Sequence, residues 1–135
     1  MNVFFDVDFT LIAVDGTLRP HVKEVFSKIK EAGHKIYIWS GAGIRWEVVK
    51  QHELTDLIET CYLKPLSDYR QKAIEFGVDV VPDYCIDDHS EVVRAFGGFV
   101  IGTYYTRDVH DTTWHDALLI MRERLHRAVN VLQDA

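Results

Sequence analysis

Val3-Phe4-Phe5-Asp6-Val7-Asp8-Phe9-Thr10 is the stretch on which the fold turns. Three bulky apolar residues run straight into two aspartates one residue apart, then a threonine. A short apolar run bounded by polar residues is the pattern of a strand buried on both faces. Such a strand carries its acids out at its carboxyl end, where ligands bind in open α/β sheets. Residues i and i+2 of an extended segment face the same way, so Asp6 and Asp8 can serve one site if the chain stays near-extended. One Asp-x-Asp is weak by itself, so the other strand ends must supply its partners.

Working outward, Leu11-Ile12-Ala13-Val14-Asp15-Gly16-Thr17-Leu18 places Asp-Gly between apolar pairs, the signal of a two-residue hairpin, and predicts a small β flap. Pro20 suits the first turn of a helix whose apolar face is Val22, Val25, Phe26 and Ile29, with Gly33 as its stop. A second strand follows over 35–39, ending at Ser40-Gly41, then a helix from about Ile44 to His52. Cys61-Tyr62-Leu63 reads as a third strand running into Lys64-Pro65. Ser67 or Asp68 caps a helix to Phe76, stopped by Gly77. Tyr84-Cys85-Ile86 is the fourth strand and ends at Asp87-Asp88-His89-Ser90. A short helix to Phe96 leads to a fifth strand, Phe99-Val100-Ile101, and then to Tyr104 and Tyr105. The loop 107–113 precedes a long amphipathic helix, Thr113 to about Leu132, with the stripe Ala117, Leu118, Met121, Leu125, Ala128, Val129 and Leu132. Strands alternating with helices predict a three-layer Rossmann-like α/β sandwich. The expected parallel sheet has the order fifth, fourth, first, second, third.

Bulk properties narrow the function classes. The 135 residues are read as one domain, a core over 1–103 with a C-terminal loop and helix over 104–135, and 47% hydrophobic residues suffice for a packed core. A net charge of −6 argues against a generic nucleic-acid binder, which leaves nucleic acid as a partner only in the role of substrate. No apolar run is long enough for a membrane span, and no basic-then-apolar leader opens the chain. Cys61 and Cys85 sit in apolar runs and read as buried thiols of a cytoplasmic protein.

In a parallel sheet the strand ends Asp6 and Asp8, Ser40, Lys64, and Asp87 and Asp88 share one rim. Carboxylates converging there repel unless a cation neutralises them. All-oxygen ligation with few protein ligands suits Mg2+. A lysine and a hydroxyl beside the metal complete a phosphate cradle. One carboxylate can act as nucleophile, and a second as acid and then base.

In order and context, Asp6-Val7-Asp8-Phe9-Thr10, Ser40, Lys64-Pro65 and Asp87-Asp88 resemble the four motifs of the haloacid dehalogenase-like superfamily of phosphohydrolases. The resemblance covers about residues 1 to 103. It implies that Asp6 is the nucleophile and a metal ligand, and that Asp8 is the general acid/base and a ligand through its carbonyl. Ser40 and Gly41 would hold the phosphoryl group and Lys64 would neutralise it. Asp87 would be the third ligand of Mg2+, with Asp88 orienting a metal-bound water. Asp8 points to phosphate esters, because dehalogenases and phosphonate-cleaving members lack that aspartate. Both usual cap insertion points are short, so the chain resembles the capless subclass. Its open site would be covered by a second subunit, a large substrate or the tail after Thr103. Phe9 stands where such families often carry glycine. Asp15-Gly16-Thr17-Leu18 imitates the end of the motif, but Ala13 stands where its first aspartate would be.

The expectation is therefore an Mg2+-dependent phosphomonoesterase acting on a phosphorylated small molecule or macromolecular end, with a homo-oligomer open. A receiver-like phosphoacceptor domain and a catalytically idle binding domain are the alternatives. Arg45 and His89 are candidate substrate contacts or surface groups. His110, Asp111, His115 and Asp116 fit no strong zinc spacing and read as a loop entering a helix. Trp39 is core on pattern, while Trp46 and Trp114 are open.

Overall fold

The structure, a computed structural model, describes residues 1–134, with side chains as far as Glu123. Its sheet has five parallel strands in the order β3-β2-β1-β4-β5, the expected order read from the other edge. They are β1 (Asn2–Phe5), β2 (Lys35–Ser40), β3 (Thr60–Leu63), β4 (Tyr84–Asp87) and β5 (Gly98–Val100). The helices are α1 (Val22–Glu31), α2 (Trp46–Gln51), α3 (Tyr69–Glu75), α4 (Ser90–Phe96) and α5 (Thr113–Asp134), and a 3-10 turn spans Thr55–Leu57.

Strand alternation divides the core into two layers. Val3, Phe5, Ile36 and Ile38 face one side, packed by Val25 and Phe26 of α1, Val48 and Val49 of α2, and Trp114, Ala117 and Met121 of α5. Phe4, Tyr37, Trp39 and Cys85 face the other, packed by Ala73 of α3 and Val92 of α4. Phe4 is fully buried and stacks on Tyr37 at 4.9 Å while meeting the edge of Trp39 at 4.8 Å. Burial of one such ring is worth about 1.5–3 kcal/mol. Cys61 and Cys85 are free thiols on β3 and β4, separated by β2 and β1, and burial pushes the Cys61 thiol up to about 11. Trp39 and Trp114 are both core residues, and Trp46 is partly buried against the α1 face. Leu125, Ala128, Val129 and Leu132 of the expected stripe lie outside the described side chains.

Several boundaries differ from the sequence reading. β5 ends at Val100 and begins at Gly98, whose backbone approaches β4 so closely that a Cβ would lie 1.9 Å from the Cys85 carbonyl oxygen. Pro20 stands ahead of α1, and His21 takes the helix-entry position in a left-handed conformation, φ 73°. Asp68 precedes α3 but makes no side-chain cap. The segment 44–45 stays outside α2, which starts at Trp46. The flap is not a two-residue hairpin. Gly16 N–H donates to Ala13 O and Ala13 N–H to Thr17 O, with Gly16 at φ 85°, which is a three-residue loop closed by a left-handed glycine. Its pairing reduces to one antiparallel bridge, Ile12 with Leu18. Between the flap and α1, and between β3 and β4, the described residues hold only loops and α3, so no second domain is inserted. Among the described residues no helix is long and apolar enough to cross a membrane.

Candidate active site

The chain leaves β1 at Phe5 and turns at once. The Val7 carbonyl accepts from the N–H groups of Thr10, Leu11 and Ile12, so a tight turn follows Val7 and takes in Asp8 and Phe9. Phe9 sits in it at φ 65°. That left-handed conformation is glycine's preference, and a bulky residue there carries about 1–2 kcal/mol of strain. The position is held from three sides: Phe9 N–H donates to Ile12 O, Phe9 O accepts from Tyr104 N–H, and its ring meets Tyr105 at 5.2 Å.

The turn sends Asp6 inward and Asp8 outward. Asp6 is 4% exposed, its backbone N–H continuing the β1–β4 ladder to Ile86 O. Lys64 Nζ donates to Asp6 Oδ1 at 2.9 Å and to Asp87 Oδ2 at 3.0 Å, and Thr10 Oγ1 donates to Asp6 Oδ2 at 3.1 Å. Three strand ends, β1, β3 and β4, thus meet at one ammonium group. Lys64 arrives there because its N–H extends the β2–β3 ladder to Ser40 O. Lys72, the other lysine nearby in sequence, instead donates to Ser67 on the surface. Thr10 has no role on the sequence pattern alone, and its spacing of four from Asp6 across the turn is the signal that finds it.

Electrostatics follow burial. Burial and the neighbouring Asp87 push the Asp6 carboxyl above its usual range, against the pull of Lys64. Asp88 is raised by burial and by its contact with Asp6. Burial works against the Lys64 charge, but Asp6 and Asp87 outweigh it and raise the ammonium. Ligand-capable atoms of Asp6, Asp87, Asp88 and His89 all lie within 4.8 Å of one another. Asp88 Oδ1 is buried without a hydrogen bond, and His89 Nδ1, 3.1 Å away, is not aligned to give one. The His89 imidazole is raised by Asp88 and Asp87 although partial burial opposes this. Carboxylates this close with one ammonium among them, and an orphaned buried oxygen, fit a small divalent cation.

The remaining expected residues fall around this centre. Ser40 is 2% exposed, and its Oγ accepts from Ala42 N–H at 3.1 Å, which shapes the loop 41–43 and leaves the hydroxyl proton for another acceptor. A Cβ on Gly41 would meet Leu66 at 2.7 Å. Arg45 is not a free substrate contact: its guanidinium donates to Asp8 Oδ2 and to Glu47 Oε1, both at 2.7 Å. Asp8 is thereby held by a side chain 37 residues away, and its carboxylate stands outside the acidic cluster. A cavity of about 170 Å3 opens beside Lys64, lined by Leu66, Tyr69, His89 and Glu91. A larger one, about 300 Å3, lies between α3, α4 and the segment before β4, lined mainly by apolar residues together with Arg70 and Asp79, and by none of the site residues above.

The tail joins the rim through a residue that sequence reading passed over. Arg19 is 2% exposed and donates to both oxygens of Asp111, at 3.1 and 3.2 Å, and to Gly102 O at 2.8 Å, with the Tyr104 ring 5.1 Å from its guanidinium carbon. Val14 N–H donates to Tyr105 O and ties the flap to the same segment. Asp111 is therefore a structural partner of Arg19. His110, Asp111, His115 and Asp116 do not form one cluster, since His115 bonds Glu24 instead. No protein-family model, no curated protein and no solved structure matches this chain.

Proposed function

We propose that the chain is a phosphomonoesterase of the haloacid dehalogenase-like type, working through an aspartyl-phosphate at Asp6. The observation that carries this reading is the convergence of Asp6, Lys64 and Asp87 from three strand ends at 2.9 and 3.0 Å, with Asp8 one turn further out. Buried ionic groups without a structural gain are costly, so such a centre at a sheet's carboxyl edge favours chemistry over packing.

In this reading Asp6 attacks phosphorus, forming the Asp6 oxygen–phosphorus bond as the ester oxygen leaves. Lys64 offsets the charge of nucleophile and phosphoryl group, and the Ser40 hydroxyl donates to a phosphoryl oxygen. Thr10 keeps Asp6 Oδ2 in place. Asp8 protonates the leaving oxygen, then takes a proton from the water that attacks the phosphoryl-enzyme, returning Asp6 as carboxylate and releasing phosphate. Arg45 is a positioning residue for Asp8. Asp6 and Asp87 would hold Mg2+, with Asp8 contributing its carbonyl and Asp88 and His89 alongside. The ion would supply charge neutralisation and phosphate binding. The cavity beside Lys64 is small and the rim is open, which suits a phosphate carried on an exposed end of its substrate.

Asp6→Asn and Asp8→Asn test this by failing differently. With p-nitrophenyl phosphate, whose phenolate leaves without protonation, Asp8→Asn should release a stoichiometric burst and then stall. Asp6→Asn should give no burst, and chelation should silence both the wild type and the burst. Equal bursts in the two variants would reverse or remove the assigned roles. Slow phosphate loss without ester turnover would favour a receiver-like domain.

A further inference from the structure

A second group of metal-ligating side chains lies away from the acidic centre, on the outer faces of α1 and α5. His21 and Glu24 come from the start of α1 and His115 from the start of α5. Glu24 Oε2 is 3.0 Å from His115 Nε2 and 3.4 Å from His21 Nδ1, and ligand atoms of all three lie within 4.8 Å of one another. The two imidazole rings lie with centroids 3.8 Å apart and planes tilted by 36°. Zinc with bonds of about 2.0–2.1 Å to imidazole nitrogen in a tetrahedron needs neighbouring ligands about 3.3 Å apart. The two measured separations bracket that value.

We propose that His21, Glu24 and His115 form a site for zinc or a similar first-row divalent ion, with an open position taken by water, tying the C-terminal helix to α1. Two imidazoles and one carboxylate are a zinc donor set. Glu24 and His115 are 91 residues apart in sequence, yet the ligand atoms of all three side chains lie within 4.8 Å of one another. Glu24 is ionised before any metal arrives, because hydrogen bonds from His115 and Lys28 hold its carboxyl down at about 2. Lys28 Nζ takes the other oxygen, Oε1, at 3.1 Å, which orients Oε2 toward the histidines. That ammonium, and Arg122, which lines the adjoining shallow cavity with Glu24 and His115, limit the affinity. The site has solvent access, since the three side chains are 33%, 44% and 43% exposed. Binding exchanges the His115–Glu24 hydrogen bond for two metal–ligand bonds, the Nε2 proton of a neutral His115 moving to Nδ1 as the tautomer changes.

Calorimetric titration of the full chain with ZnCl2 tests the proposal, because zinc held elsewhere is common to every variant. The wild type should bind one more equivalent than His115→Ala and than His21→Ala, each variant weakening that step by at least ~100-fold. Long-range nitrogen NMR should show zinc moving His21 Nδ1 and His115 Nε2. These two atoms are named by the geometry, whereas a merely structural role for the histidines would leave both resonances in place. Both variants alter half-buried side chains on separate elements, His21 at the entry to α1 and His115 on α5, so a fold defect in one leaves the other as the test. Equal stoichiometry and affinity in wild type and variants, or zinc-induced shifts confined to His89, would overturn the proposal.

Discussion

Replacing Lys64 by methionine keeps the length of the side chain and removes its charge, which isolates the electrostatic part of the site. Lys64 is 7% exposed, and its two partners are 4% and 0% exposed. Loss of one member of such a buried ion pair costs about 3–5 kcal/mol, because the remaining charge stays buried without a partner. At about 3–5 °C per kcal/mol for a domain of this size, Lys64→Met should melt roughly 10–25 °C lower near pH 7 in the absence of divalent ions. The cost has a defined pH dependence. Asp6 stands above its ordinary value through burial and Asp87, so the folded chain binds more protons than the unfolded one above pH ~4, and stability falls as pH rises through that window. Removing Lys64 raises Asp6 further and deepens that fall. Urea melts from pH 4 to pH 8 should therefore show a gap between wild type and Lys64→Met that is small at pH 4 and widens upward. Lys72→Met is the control, since Lys72 reaches only Ser67 on the surface, and it should stay within about 0.5 kcal/mol of wild type. A gap below ~1 kcal/mol at pH 7, or one that does not change with pH, would refute the reasoning that Lys64 holds two buried carboxylates.

Three further outcomes follow from named contacts. Asp111→Ala strips the partner from the buried Arg19 and should cost about 2–3 kcal/mol, below the full buried-pair value because Asp111 keeps some solvent. Burial opposes the Asp111 charge but Arg19 outweighs it and holds the carboxyl below its usual range. The pair's contribution is therefore present above pH ~4 and lost as pH falls further, so the gap to Asp111→Ala should close in acid melts. Arg45→Ala frees Asp8 and should lower kcat by up to ~10²-fold with folding intact, whereas unchanged turnover would remove Arg45 as a positioning residue. Gly98→Ala places a Cβ 1.9 Å from the Cys85 carbonyl oxygen and should break the β4–β5 pairing, read as lost amide protection in β5.

The parts legible in the sequence are those encoded locally. Apolar runs of three or four residues, four of them ending in Asp, Ser or Lys, gave the strands, and strand alternation gave the two faces that Phe4 and Phe5 pack. The meeting of Asp6, Lys64 and Asp87 followed from parallel strands sharing a rim. What escaped depends on side chains distant in sequence or on a backbone conformation that the residue type disfavours. Phe9 gives no sign of φ 65°, because the conformation is imposed by Ile12 and Tyr104 rather than chosen by the residue. Arg19 with Asp111, Arg45 with Asp8 and His115 with Glu24 are separated by 92, 37 and 91 residues, and no periodicity links them. The flap misled because Asp-Gly signals a two-residue loop, while the left-handed Gly16 here closes a three-residue one.

The most direct measurement is chemical trapping of the phosphoryl-enzyme. Asp8→Asn would be mixed with an aryl phosphate and Mg2+, quenched in acid, and mapped by mass spectrometry before and after borohydride reduction. One phosphoryl group is expected on the peptide carrying Asp6, converted by reduction to homoserine at position 6 and absent from Asp6→Asn. A phosphoryl group on Asp87, Asp88 or a serine, or turnover of the ester with no trapped species at all, would contradict the assignment of Asp6 as nucleophile.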